Sequence, residues 1–480
     1  MFRIGTLPIV VLGLVATFPA MAAASQPPVV ETSTSADQQQ MAVTVYNSNL
    51  ALVRDTRRLE LSQGTVELRF MDIAASVDPA TVHIVSVTTP TDLNVLEQDY
   101  EYDLLNPQKL LDKFVGKQVT LVRTVPEGGA AREERVPAIL LANNSGPVWK
   151  IGQEIVTGLK TDHYIFPDVP ENLYSRPTLV WLIENHHAGP QIIEASYLAH
   201  EMKWNADYVL AVSAQETRGA LSGWVTIVNR TGTTYPNAQL QLVAGEVHRA
   251  PRPLPRYEGV LGGVAGGVPQ FVQEAISEYH LYTLARPTTL RNNETKQISL
   301  LSASGLHLEK QFRVYSRPEY FRSQLQPGMP LKDPVEVHLM FQNSAANTLG
   351  IPLPGGTVRV YQRDSKGRMQ FVGEDGIAHT PKDEKVDLHT GNAFDVVEER
   401  RQTVFERLGQ HNFETAFEIT LRNHKPEPIT VEVNEAIGGE WEMIESNYKY
   451  EKTSAFSARF KVPVGADAQA VLTYRVRARQ

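Results

Sequence analysis

Histidine has the widest chemical reach of the side chains in this sequence, and two of its histidines are adjacent. The stretch "IENHHAG" sets His186 and His187 just past Glu184, and His200-Glu201 follow further on. Imidazole beside carboxylate is the chemistry of metal ligation and proton transfer. The spacing argues against one shared ion. If Leu179–Glu184 and Gln191–His200 form a continuous hairpin, His200 lies about 12 residues along the strand from the turn, roughly 40 Å at about 3.3 Å per residue. His186 and His187 are then left as neighbours in a turn with no outside ligand, and no metal site is nominated.

The aromatic pair in "EMKWNADYVLAV" could stack on a sugar ring. Here Met202, Trp204, Ala206, Tyr208, Leu210 and Val212 alternate with Glu201, Lys203, Asn205 and Asp207. Rings on an otherwise apolar face pack in a core, so Trp204 and Tyr208 are assigned to packing. Glycines cluster in "PRPLPRYEGVLGGVAGGVPQ", Pro251 to Gln270, but Gly259 and Gly262 each lack a glycine two residues later. No Lys-Ser/Thr follows them, so neither dinucleotide nor phosphate-loop chemistry fits. That segment is expected to be a flexible loop between strands. Zinc-protease, serine-elbow and calcium-loop patterns do not occur. Carboxylates are plentiful, yet the sequence nominates no pair of the kind a glycosidase needs. No catalytic, cofactor-binding or metal residue is named, and no cofactor is expected.

The 480 residues carry 46 Lys and Arg against 54 Asp and Glu, a net charge of −8. A nucleic-acid partner, which calls for a basic face, is not expected. There is no cysteine, so disulfides, thiol catalysis and thiolate metal sites drop out. The first 24 residues have the layout of a signal peptide: Arg3, an apolar run from Ile9 to Phe18, then "AMAAAS", with cleavage after Ala22 or Ala24. The run is shorter than the roughly 20 residues a membrane span requires. The expected location is periplasmic or secreted, with no transmembrane segment after cleavage.

What must position any site is β-structure. In "TAFEITLR", "PITVEVNE" and "AFSARFKV", apolar and polar residues alternate with a period of two, as half-buried strands require. One helix is marked in "NPQKLLDKFVG": Asn106 as N-cap, Pro107 in the first turn, Gly116 past the end, and Leu110, Leu111 and Phe114 as the apolar stripe. The short strands after it, "KQVTLVRTV", "RVPAILLA" and "VWKIG", suggest a small SH3- or Sm-like barrel, closed or half-closed. Within Asp395–Gln410, "VVEERRQTVFERLG" fits an exposed amphipathic helix or a charged strand edge, its charges solvated.

Four stretches share one pattern: a strand runs into an asparagine, then a polar or proline-containing turn, then another strand. The asparagines are Asn185, Asn229, Asn343 and Asn423. An Asn side chain can bond backbone groups two residues on and close a turn. These four are expected to be strand connectors rather than ligand contacts. The fold class is therefore mainly β: several β-sandwich, immunoglobulin-like domains plus the barrel-type insertion with its short helix. The expected divisions are a disordered lead-in at 25–40, an N-terminal β-region at 41–103, the helix and barrel at 104–170, a central sandwich at 171–325 holding loop 251–270, and a C-terminal sandwich at 326–480.

Several motifs, in order, resemble a known bacterial group. They are "SYLAHEMKWNADYVLAV", "LSGWVTIVNRTGTTYPNAQLQLVAGEV", "EYHLYTLARPTTLRNNETKQISL" and "ITLRNHKPEPITVEVNEAIGGEWEMIE". The group is the domain of unknown function 4139 family, to which mucoidy-inhibitor-type proteins belong. The resemblance covers roughly Thr178–Arg477 and extends more weakly to "YNSNLALVRDTRRLELSQGTVELRF". It implies a β-rich, exported or envelope-associated protein with no established reaction and no catalytic residues to carry over. The long coiled coil typical of mucoidy-inhibitor relatives has no counterpart here, which puts coil-dependent functions in doubt. The expected function is an exported, non-enzymatic β protein that binds or scaffolds cell-envelope components, with an envelope protein or polysaccharide as partner. The alternative is an envelope polysaccharide or peptide hydrolase whose acidic site the sequence does not locate.

Overall fold

Residues 27–101, 105–127, 130–170, 173–245, 271–276, 279–326 and 329–479 are described by a computed structural model. The expected leader at 1–24 and the expected loop at 251–270 fall outside them. Alternation becomes strand where it was read. Met202–Val212 buries Met202, Trp204, Ala206, Tyr208, Leu210 and Val212 and turns Lys203 and Asn205 outward. Ile429–Glu435 buries Val431 and Val433, and Ser457–Val464 buries Ala458, Phe460 and Val462. Phe456, grouped with the last set by pattern, sits ahead of its strand and is exposed.

Three sheets enclose the largest core. The first orders Val29–Ser33, Gly64–Met71, Thr178–Asn185 and Leu93–Glu101. The second has eight strands, with Tyr235–Ala244, Gln38–Tyr46, Leu50–Leu61 and Gly189–His200 at its centre. The third orders Glu294–His307, Arg218–Asn229, Met202–Val212, Gly356–Arg363 and Met369–Ile377. Phe70, Trp181, Tyr197, Trp204 and Tyr208 lie in the shared interior. Strands from 41–103 and from 171–325 are interleaved in the first two sheets.

Two expectations change here. The segment 25–40 is not a disordered lead-in from Val29 onward: Val29–Ser33 pairs in parallel with Gly64–Met71. The fully buried Arg57 fastens it, donating to Ser33 Oγ at 3.2 Å, to Met71 O at 2.7 Å and to Asp55 Oδ2 at 2.7 Å. Low hydrophobicity favours disorder only when nothing offers a sheet edge and buried partners. The region 104–170 is not a closed barrel. Its five strands form an open antiparallel sheet ordered Glu154–Thr157, Val148–Ile151, Ala130–Ala142, Gln118–Glu127 and His163–Ile165. The helix Pro107–Lys113 packs on it through Leu111, capped by the Asn106 side chain, which accepts from Lys109 N. Leu121, Leu140 and Trp149 complete a small separate core.

The C-terminal part is a sandwich of a four-stranded and a six-stranded sheet. The first orders Val396–Arg407, Asn412–Asn423, Ala468–Arg479 and Glu440–Ser446. The second orders Lys385–Asn392, Glu336–Gln342, Glu309–Tyr315, Ile429–Glu435, Ser457–Val464 and Tyr450–Ser454. Phe417, Ile419 and Tyr474 of the first meet Val431, Val433 and Phe460 of the second, and the Phe460 and Tyr474 rings stack at 5.2 Å. The six-stranded sheet also serves the larger core: Leu339, Phe341, Val386 and Leu388 pack there, while Phe312, Val314 and Val431 pack in the C-terminal core. One sheet is thus common to two interiors.

The charged stretch within Asp395–Gln410 is the strand Val396–Arg407, not a helix. Its charges are only partly solvated. Glu398 and Arg400 share the inward side with Val396 and are buried.

Candidate functional site

The four asparagines are the most repeated device in the chain, and each is buried. Asn185 Nδ2 donates to Leu61 O, Ser62 O and His187 O, and its Oδ1 accepts from His187 N. Asn229 Nδ2 donates to Thr233 O, Leu290 O and Arg291 O, and its Oδ1 accepts from Thr231 N. Asn423 Nδ2 donates to Glu427 O and Gly465 O, and its Oδ1 accepts from Lys425 N. Asn343 Nδ2 donates to Ile351 O and Pro381 O, with Gly350 N donating back. All four amides are spent within the fold, chiefly on backbone, with Gln191 Nε2 and Thr231 Oγ1 also donating to Asn185 and Asn229, which is architecture.

They do not close hairpins. Thr178–Asn185 and Gly189–His200 lie in different sheets, and so do the strand pairs flanking Asn229, Asn343 and Asn423. Each asparagine marks a point where the chain arches from one sheet to another, and its side chain ties the arch to a neighbouring loop. The continuous hairpin expected across His186 and His187 is corrected accordingly.

The histidines there stay apart. His186 Nε2 is 3.6 Å from Glu184 Oε2, and His187 Nδ1 is 3.9 Å from Asp92 Oδ2. His200 ends its strand opposite Leu50. Among the described residues, no three His, Asp or Glu side chains are placed to hold a metal ion. Trp204 and Tyr208 are core residues, as their face implied: Trp204 Nε1 donates to Val243 O at 3.2 Å and Tyr208 Oη to Pro354 O at 2.8 Å.

Sequence reading missed two charge clusters. The first lies on the outer face of the six-stranded sheet. His338 Nδ1 is 2.8 Å from Asp387 Oδ1, and its Nε2 is 3.0 Å from Glu336 Oε2. Arg313 donates to Asp387 Oδ2 at 2.6 Å and lies 3.8 Å from Glu432, which Arg459 and Lys461 also approach. His389, opposite His338 in register, stacks on it at 5.3 Å. Burial pushes the Asp387 carboxyl up, and the hydrogen bonds from Arg313 and His338 outweigh that and hold it below the usual carboxylate range. Strand pairing alone builds this array: Arg313 sits opposite Glu336 on one side and Glu432 on the other. Beside it a groove of about 540 Å³ opens between Gln215 and Glu216 on one wall and Gln311, Pro428 and Lys461 on the other. Lys310 Nζ reaches across to Glu216 Oε2 at 2.5 Å. The carboxylates of Glu336 and Asp387 are the accessible part of the array, and its central, buried imidazole is held by two acids and a guanidinium.

The second cluster lies inside the C-terminal sandwich. Arg400 Nη1 donates to both carboxylate oxygens of Glu435, at 2.9 and 3.1 Å. Its Nε is 3.3 Å from Glu398 Oε1 and 3.8 Å from Asp333 Oδ2. Three acids thus surround one cation in the dry interior. Burial pushes the Glu398 carboxyl up to about 7 against the pull of Arg400. The segment ahead of the sandwich is held here: Leu331 and Arg400 exchange backbone hydrogen bonds at 2.8 Å, and Asp333 N donates to Glu398 Oε2 at 3.0 Å. This cluster fastens a connecting segment to an edge strand. Its signal was in the sequence: the period that buries Val396 also carries Glu398 and Arg400 inward, with opposite charges two residues apart.

In comparisons with known proteins, no family model matches the chain and no curated protein matches it.

Proposed function

We propose that the chain is an exported, periplasmic or secreted β protein without enzymatic activity, which binds or scaffolds cell-envelope components and belongs with the domain of unknown function 4139 family. The leader-like first 24 residues and the ordered motifs between Thr178 and Arg477 support export and kinship. Among the described residues, no helix is long and apolar enough to cross a membrane.

The single observation that carries the binding reading is the six-stranded sheet shared by two cores. A sheet braced from both interiors is a stiff support, and on its other face the partly exposed Glu336 and Asp387 are held in fixed register over the largely buried Arg313, His338 and Glu432. Preorganised polar groups bind at low ordering cost. The test is cross-linking and capture of the native chain from the envelope fraction. A reproducible envelope partner, lost on Asp387→Asn together with Glu336→Gln, supports the reading. A chain that fractionates with the cytoplasm, or stays alone and inert in the envelope, overturns it.

A further inference from the structure

The outer face of the five-stranded sheet holding Arg218–Asn229 and Met202–Val212 carries an exposed tryptophan at its centre. Trp224 is 40% exposed, on a strand whose inward neighbours Gly223 and Val225 are packed. The Trp181, Trp204 and Trp441 indoles each donate a hydrogen bond within the protein. The indole of Trp224, like that of the buried Trp149, donates to none of the described residues. A single exposed apolar side chain is ordinary on a protein surface; Trp224 matters here for the company it keeps on its face.

A second aromatic post stands on the same face. Tyr361 and Phe371 pack edge to face at 5.6 Å, and Phe371 is 57% exposed. Trp224 pairs with Asp207, and Ala211, four residues further along that strand, pairs with Tyr361. The two posts are therefore separated by four residues along the sheet and two strands across it, roughly 16 Å at about 3.3 Å per residue and about 4.8 Å per strand. The floor between them is built of Ser222, Ala220, Val209 and Ala211. Beside Trp224 runs a fixed polar row. Asp207 accepts from Thr226 Oγ1 at 2.7 Å and from Arg359 Nη1 at 3.0 Å, and Arg359 Nε is 3.2 Å from Glu374.

We propose that this face binds a neutral saccharide chain, with one sugar ring stacked on Trp224, another against the Tyr361–Phe371 pair, and the Asp207–Arg359 row hydrogen-bonding hydroxyls between them. Flat rings flanked by bidentate donors and acceptors suit pyranose, whose faces are apolar and whose edge is polar. Within the row, the one guanidinium is already matched by two carboxylates, which favours neutral hydroxyls there over an anion. The proposal names the ligand of the envelope-binding reading and rests on it.

The test is affinity electrophoresis of the full chain in native gels cast with a soluble neutral glucan, with N-acetylglucosamine oligomers, or with a polyuronate. Either neutral probe should retard the wild type. Trp224→Ala should weaken that retardation about tenfold or more, Trp224→Phe should largely keep it, and Phe456→Ala, exposed elsewhere, should leave it unchanged. Retardation by the polyuronate alone, by no probe, or equally in Trp224→Ala with an unaltered melting temperature would overturn the proposal. Fractionation separates the two readings: an envelope-bound chain that no saccharide retards sinks this site only, whereas a cytoplasmic chain sinks the envelope reading itself.

Discussion

Val337 and Leu339 stand two residues apart on one face of one strand and pack into different cores. The strand Glu336–Gln342 is the seam between the two interiors. Leu339→Ala should cost about 2–5 kcal/mol, the usual range for emptying a buried leucine site. The loss should be felt on both sides of the seam. Hydrogen exchange should quicken in Met202–Val212 and in Ser457–Val464 alike. Faster exchange in only one of them would contradict a shared sheet.

The arch at Asn229 offers a second measurement. Asn229→Ala leaves the carbonyls of Thr233, Leu290 and Arg291 without their donor, so a loss of about 1–3 kcal/mol is expected for groups stranded in the interior. Asn229→Asp keeps the acceptor for Thr231 N but sets a carboxylate against those carbonyls, and should be at least as damaging. A thermal melt in which the aspartate variant matches the wild type would remove the arch from the list of stabilising devices.

Stability should also depend on Glu398. Burial holds its folded pKa at about 7, above the ordinary glutamate value of 4.5, so the folded chain binds this proton more tightly than the unfolded one. That contribution is complete below about pH 4.5 and is lost as pH rises through about 7. Denaturation midpoints measured across this window should fall with rising pH, and Glu398→Gln should flatten that component. An unchanged slope in the variant would assign the dependence elsewhere.

Asp387 has the opposite sign. Its carboxyl is held below the ordinary aspartate value of 3.8, so its contribution is present above that pH and fades as pH falls through the lower folded value. Arg313→Met removes a charge-assisted partner and should raise the Asp387 midpoint, read directly by carboxyl carbon NMR. A midpoint that does not move would mean that His338 and burial set it without Arg313.

Much of this architecture was legible locally. The alternation in "EMKWNADYVLAV" placed Trp204 and Tyr208 correctly, and "NPQKLLDKFVG" marked its helix, because pleat direction and helix capping are decided within a few residues. The asparagines were legible as connectors for the same reason. Whether Asn185 joins a hairpin or an arch depends on which distant strand pairs with Gly189–His200, here Leu50–Leu61, and the loop does not encode that. Glu398 and Arg400 were misplaced because charge was weighed above period. The His338 array gathers residues from Arg313 to Lys461, on strands distant in sequence, so its register lay beyond any local pattern.

The parallel pairing of Gln38–Tyr46 with Tyr235–Ala244 joins positions such as Thr44 and Gln241, 197 residues apart. A ribosome delivers the first of these strands long before the second. Until its mate emerges, one side of Gln38–Tyr46 is an open template for any passing chain. Anything that shields or delays this edge until its mate emerges, a holding chaperone for example, would favour correct pairing.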